Sequence, residues 1–443
     1  MNKKILQLTV PNIITNITVP LLGMVDMAIV GHLSLNHIAA ITIGTSIFNL
    51  IYWNFGFLRM GTSGFAAQAY GARNLSESVR VFVRAITIAL LIALLLIVFQ
   101  LPISRLALYV IPCDDSVCHL ALTYFFIRIW AAPATLGLYA LKGWFIGMQN
   151  SKTPMWIAIF INLLNIVFSL LFVLYWKMDI AGVAWGTVIA QYGGLVVGCV
   201  IAYKYYGKLF RRYLDIKSSL NIAEMKKFFH INADIFLRTF CLAVVFTFIT
   251  SASSSISKEI LAIDSLLLQF FTLFSYIMDG FAYAGESLAG RYIGARDKQL
   301  LHKAVKYLFR WGFALCFVFT LLYAMGGEMF LYIFTDQKDI ISMAKPYMKW
   351  VLLMPICGFA AFLWDGIYVG ATASKQMRNA MFVATGAFFA IYYSSLYLIE
   401  KGVMMDSIYL RNNSLWVAFL VYLLLRGVMQ WVYSKRAIYK QVE

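Results

Sequence analysis

Among the acids of this sequence, Asp26 has the most chemistry open to it. It ends the apolar run Val19-Pro20-Leu21-Leu22-Gly23-Met24-Val25-Asp26, and no other acid lies inside an apolar span in the first half of the chain. A carboxylate taken out of water favours its neutral form, so it can take up and release a proton. It can also attract a cation, and a proton and a cation would then compete for one group. That competition is the least that exchanging a proton for a cationic substrate requires. A structural reading stands beside it, in which the carboxylate is locked to a buried arginine or to backbone amides. Asn165 and Thr187 are candidate partners for the acid, although such residues also serve as glue between helices. Pro11 and Pro20 remove two N–H donors from the same run. A bend there would move Asp26, and a fixed kink is the other reading.

The second half is richer in charge within apolar stretches: Asp234, Arg238, Asp264, Asp279, Glu286 and Asp365. Arg238 beside an acid reads most simply as an ion pair. Asp279 and Glu286 are seven apart, hence near one helical face, where they either line a path or lie wet near a helix end. With Asp365 these are secondary candidates for a cavity. Catalytic patterns are poorly supported. The five histidines are scattered, and there is neither His-Glu-x-x-His nor a nucleotide-binding loop. The expectation is no enzyme, no cofactor and no metal site. Cys113 and Cys118 share a loop and could pair in an oxidising compartment; a metal site with Asp114 and His119 is the weaker alternative.

The elements that must position these residues follow from composition. Of 443 residues, 62% are hydrophobic and 13% charged, about half the usual charged share. At roughly 20 apolar residues per crossing plus connections, the length suits about twelve membrane helices. The apolar runs are continuous rather than alternating, which excludes an outer-membrane barrel. Spans are expected near 5–31, 37–71, 80–104, 120–148, 154–176, 180–206, 225–253, 259–293, 303–325, 341–371, 376–399 and 413–434. The first carries Asn12, Asn16 and Asp26 and no small-residue cleavage site, so it reads as a retained helix rather than a signal peptide.

With twelve crossings the loops alternate sides. Twenty-four Lys and Arg fall on the side of the N-terminus, clustered in 204–227 and 291–310, against eight on the other. Positive charge marks the cytoplasmic face, which predicts both termini there. The net charge of +17 is thus an orientation signal, with contact to anionic membrane lipids rather than nucleic acid.

The chain also resembles itself. Gly71-Ala72-Arg73 recurs as Gly294-Ala295-Arg296. Gly143-x3-Gly147-x3-Ser151-Lys152 recurs as Gly366-x3-Gly370-x3-Ser374-Lys375. Both repeats have the same offset of 223 residues, with six helices between copies. This predicts a parallel repeat, with lobes at 1–206 and 225–443, a cytoplasmic linker at 207–224, and a substrate path between the halves. Close packing of small residues explains the glycines but not the shared offset. Asp365 takes the repeat position of Lys142, so the halves differ chemically.

These motifs resemble the multidrug and toxic compound extrusion (MATE) transporters, in the branch of DNA damage-inducible protein F. The resemblance covers nearly the whole chain. It includes the Val19–Asp26 run with Gly31-His32, Ala67-Gln68-Ala69-Tyr70-Gly71-Ala72, Asp234-Ile235-Phe236-Leu237-Arg238-Thr239, Asp279-Gly280-Phe281-Ala282, and Asp365-Gly366-Ile367-Tyr368-Val369-Gly370-Ala371-Thr372 with Met377-Arg378-Asn379. It implies an all-α polytopic protein with two six-helix lobes around a V-shaped central cavity. It also implies cation-coupled export of amphipathic, often cationic compounds across the bacterial inner membrane by a monomer. The family's first-helix acid falls on Asp26, its fifth-helix Asn on Asn165 and its sixth-helix Thr on Thr187. Four residues after that Asn the family commonly has another Asp, where this chain has Ser169. That departure favours protons over sodium as the coupling ion. The tenth-helix acid falls on Asp365, and the seventh-helix acid of sodium-coupled members has no evident match. The alternatives are a sodium-coupled exporter and a lipid-linked oligosaccharide flippase of the same superfamily. A flippase would want several cations facing the cavity, and the candidates are Arg59, Arg128, Lys142, Arg238 and Arg426.

Overall fold

Twelve helices are long and apolar enough to cross a membrane: α1 (Asn2–Gly31), α2 (Leu35–Gly71), α3 (Leu75–Val98), α4 (Asp115–Gly147), α5 (Lys152–Tyr175), α6 (Asp179–Tyr213), α7 (Ile222–Ile256), α8 (Lys258–Gly294), α9 (Lys298–Gly327), α10 (Lys338–Gly370), α11 (Ser374–Glu400) and α12 (Ile408–Val442). The computed structural model describes residues 1–31, 34–111, 113–335, 337–402 and 407–443, less the side chains of Val19, Leu21, Leu22 and Glu328. His32, part of the first-helix resemblance, lies outside the described residues. Every expected span has its helix. The boundaries shift most where polar residues extend the turns, as in α6, which runs past Lys204 and Lys208 to Tyr213. The third span stops earlier than expected, at Val98, and a separate helix follows from Gln100 to Val110. Leu91, Leu94, Leu95 and Val98 form an exposed apolar stripe on α3, the surface that lipid chains would cover.

The chain divides into two compact units, 7–232 and 1–6 with 233–443. Two helices change unit along their length: α1 begins in the second and continues in the first, while α7 begins in the first and continues in the second. In the first unit the core forms around Phe48, Tyr124, Phe125, Trp144 and Phe145. In the second it forms around Phe270, Phe274, Tyr368, Phe388, Trp416 and Tyr422.

The offset of 223 residues holds in three dimensions, unit by unit. A side chain on Gly143 would run into the Arg59 carbonyl, and one on Gly366 into the Ala282 carbonyl. Gly147 likewise abuts the Ser63 carbonyl, and Gly370 the Glu286 carbonyl. Each partner pair is also 223 apart. Both Gly-Ala-Arg turns close with a left-handed arginine, φ 54° at Arg73 and 53° at Arg296. The amides of Asn74 and Asp297 then reach back to the Ala69 and Tyr292 carbonyls, and the same two side chains cap the next helix. The repeat is therefore one backbone design used twice.

Two features answer questions left open by the residues alone. Cys113 and Cys118 form a disulfide, Cα–Cα 5.6 Å, which removes both thiols from any metal site with Asp114 and His119. The connection between α6 and α7 carries one short helix, Ile216–Ser219, which Asp215 caps by accepting from the Ser218 amide at 3.2 Å. That bond holds the Asp215 carboxyl below the usual carboxylate range. Arg84 of α3 reaches the same segment, donating to the Ser219 carbonyl at 2.8 Å and to Glu77 at 2.7 Å.

Candidate functional site

Within the first unit, α1 is held to α5 and α6 by polar clasps along its length. Asn12 Nδ2 donates to Ser151 Oγ at 3.1 Å, and Asn162 Nδ2 donates to the Thr18 carbonyl at 2.7 Å. The third clasp holds Asp26. This side chain is fully buried, and Thr187 Oγ1 lies 3.4 Å from its Oδ2. Asn165 Nδ2 in turn donates to Thr187 Oγ1 at 3.0 Å. The structure thus brings Asp26, Asn165 and Thr187 together.

The cluster is short of donors. Thr187 Oγ1 also lies 3.1 Å from the Val183 carbonyl, and its single hydrogen cannot serve that carbonyl and Asp26 at once. Asp26 Oδ1, Asn165 Oδ1 and Ser169 Oγ are buried with no hydrogen-bond partner among the described residues. Ser169 follows Asn165 by one turn of α5 and lies against Gly186 of α6, where an added side chain would come 2.8 Å from the Ser169 amide nitrogen. An unpaired buried polar atom costs about 1–3 kcal/mol, and more when charged. Chemically, the site is a carboxylate with one oxygen free to take a proton or a small cation.

Arg128 is the residue whose place here the sequence did not indicate, since it figured only among the cations a flippase would use. It is buried in α4, donates to the Tyr124 hydroxyl, and its guanidinium lies 5.0 Å over the Phe48 ring. It belongs to the same unit as Asp26, and no ion pair joins the two among the described residues. The sequence carries one signal for it, an arginine inside an apolar span. Pro11 and Pro20 both lie inside α1, between and beside the clasps at Asn12, Thr18 and Asp26.

The other candidates belong to the second unit, where buried acids are fully engaged. Asp365 accepts from Arg238 at 2.9 Å, from Arg426 at 2.5 Å and from Gln430 at 2.5 Å, so the ion pair expected at Arg238 has an additional arginine. Asp234 accepts from Arg378 and from Ser374 at 2.9 Å. Asp264 accepts from Ser253, from Asn412 at 3.0 Å and from Trp416 at 2.8 Å. Glu286 is buried in α8 and Asp279 half-buried one face-repeat earlier. Among buried carboxylates of the described residues, only Asp26 keeps an oxygen without a donor. No group of three His, Cys, Asp or Glu among those residues is placed to hold a metal ion.

The MatE family model matches this chain twice, over residues 11–171 and 235–393, one match in each half. DNA damage-inducible protein F of Escherichia coli K12 is 33% identical over 428 residues, covering 96% of this chain and 90% of that protein. A probable multidrug resistance protein NorM of Photorhabdus laumondii is 23% identical over 349 residues, covering 77% of this chain and 76% of its own length. The fold is also that of a solved transporter described as MATE in the bent conformation, with TM-score 0.83 at 19% identity over 99% of this chain and 96% of that one. Twelve membrane helices, a repeat that both family matches follow, and these likenesses lead to one conclusion: the chain belongs to the MatE family of multi-pass membrane transporters.

Proposed function

We propose that the protein is a proton-coupled exporter of amphipathic, often cationic small molecules across the bacterial inner membrane, with both termini cytoplasmic. The observation that carries this reading is the free Oδ1 of Asp26 in a buried cluster whose remaining unpaired atoms are also oxygens. In the proposed cycle Asp26 takes a proton from outside, α1 bends about Pro11 and Pro20, and substrate leaves. The proton then passes to the cytoplasm. The solved relative described in a bent conformation is consistent with such a movement. The lobes 1–206 and 225–443, joined by 207–224, act as the two halves of the transporter. Asn165 and Thr187 orient the carboxylate and give up its hydrogen bond as the proton arrives.

Protons are favoured over sodium because Ser169 supplies a hydroxyl where a second carboxylate would be wanted for a metal cation. A flippase for an anionic lipid-linked sugar is disfavoured because three of its five candidate cations are already engaged: Arg128 by Tyr124, and Arg238 and Arg426 by Asp365. The test is proton release from the detergent-purified protein in weak buffer on adding a fluorescent cation such as ethidium. The proposal expects protons released by the wild type and none by Asp26→Asn. Equal release by both would contradict it.

A further inference from the structure

Within the second unit, basic side chains gather where the start of α9 meets the end of α12. Lys298, His302, Lys435, Arg436, Tyr439, Lys440 and Glu443 line an open cavity of 550 Å³. Five of these seven side chains are basic types and one is acidic. The acid is already used, since Glu443 pairs with Lys298 at 3.1 Å. Lys435, Arg436 and Lys440 have no ion pair among the described residues.

The fold builds this concentration of charge deliberately. Beyond Ala437 the chain turns back as a short helix, Tyr439–Val442, with Ile438 and Val442 buried beneath it. Gln441 Nε2 donates to the Ala371 carbonyl at 3.1 Å, and the Tyr439 ring stacks on His302 with centroids 4.3 Å apart. These contacts hold Lys440 against the wall made by Lys298 and His302. Like charges gathered this way repel, which favours an anion among them. One to two turns earlier on α12, Val428, Trp431 and Val432 are exposed, at 40%, 64% and 54%. Trp431 and Val432 precede Lys435 and Arg436 by four residues, so they share a helix face with them. An apolar strip ending in a basic pocket matches an acyl chain continuous with a phosphate headgroup, and a tryptophan belongs at that depth.

We propose that this pocket seats the phosphate of an anionic membrane phospholipid, with an acyl chain along Val428, Trp431 and Val432. Free phosphate shares the headgroup's chemistry, so the test separates the two sources. Thermal unfolding of the purified full-length protein is followed while titrating short-chain phosphatidylglycerol, short-chain phosphatidylcholine or inorganic phosphate. Phosphatidylglycerol should raise Tm with saturation, and the other two should not. The triple variant Lys435→Gln, Arg436→Gln, Lys440→Gln should need about 100-fold more phosphatidylglycerol. The control Lys204→Gln, Lys208→Gln, Arg212→Gln removes the same charge from α6 and should stay within threefold. Should the first triple fail to fold, Lys298→Gln with His302→Gln on the opposite wall should show about a tenfold loss. Equal loss in the α6 control, or equal stabilisation by inorganic phosphate, overturns the assignment.

Discussion

At the scale of single residues, the two most prominent acids of this transporter are held in opposite ways. Asp365 lies under two guanidinium groups and an amide, with both oxygens served. Asp26 has one long contact to a hydroxyl and one bare oxygen. Removing the charge therefore has opposite consequences. Asp365→Asn leaves Arg238 and Arg426 buried without their anion and should destabilise the protein by about 3–5 kcal/mol. Asp26→Asn should leave Tm within a degree or two while gradient-driven export is lost. Unfolding in detergent, followed by tryptophan fluorescence, checks both; a large loss of stability in Asp26→Asn would recast Asp26 as structural. Asn165 and Thr187 were legible as partners of Asp26 because the resemblance carried them to matching positions. Arg128 was not legible, since an arginine held by a hydroxyl and an aromatic ring leaves no spacing in the sequence.

At the scale of helices, the glycines of α4 and α10 fix how closely neighbouring backbones approach. Gly143 meets the Arg59 carbonyl and Gly366 the Ala282 carbonyl, both rigid backbone atoms rather than yielding side chains. Gly143→Ala and Gly366→Ala should each cost about 1–3 kcal/mol, the usual penalty of overpacking. If one is neutral in thermal unfolding, the repeat does not impose the same approach in both halves. The repeated motifs were readable because backbone contacts of this kind permit only glycine, so the offset survives in sequence. The break in α2 at Phe55 and Gly56, and the left-handed Gly327 near the end of α9, were not readable. Apolar runs continue across both, and hydrophobicity alone carries no signal for a local change of direction.

At the scale of the whole molecule, the excess of basic residues becomes a statement about sides. The α6–α7 connection with Lys217 and the turn at Arg296 should face the cytoplasm, and the Cys113–Cys118 loop should face outward. A Ser218→Cys variant should react with a membrane-impermeant maleimide in inside-out vesicles and not in intact cells; labelling in intact cells would reverse the orientation. Proton coupling through Asp26 underlies the export proposed for this transporter. It is tested most directly in proteoliposomes, by imposing a proton gradient and a sodium gradient separately and following a fluorescent cation. Proton coupling through Asp26 requires transport driven by the proton gradient, none by sodium alone, and none by either in Asp26→Asn. Transport at the wild-type rate by Asp26→Asn, or transport driven by sodium alone, would contradict it.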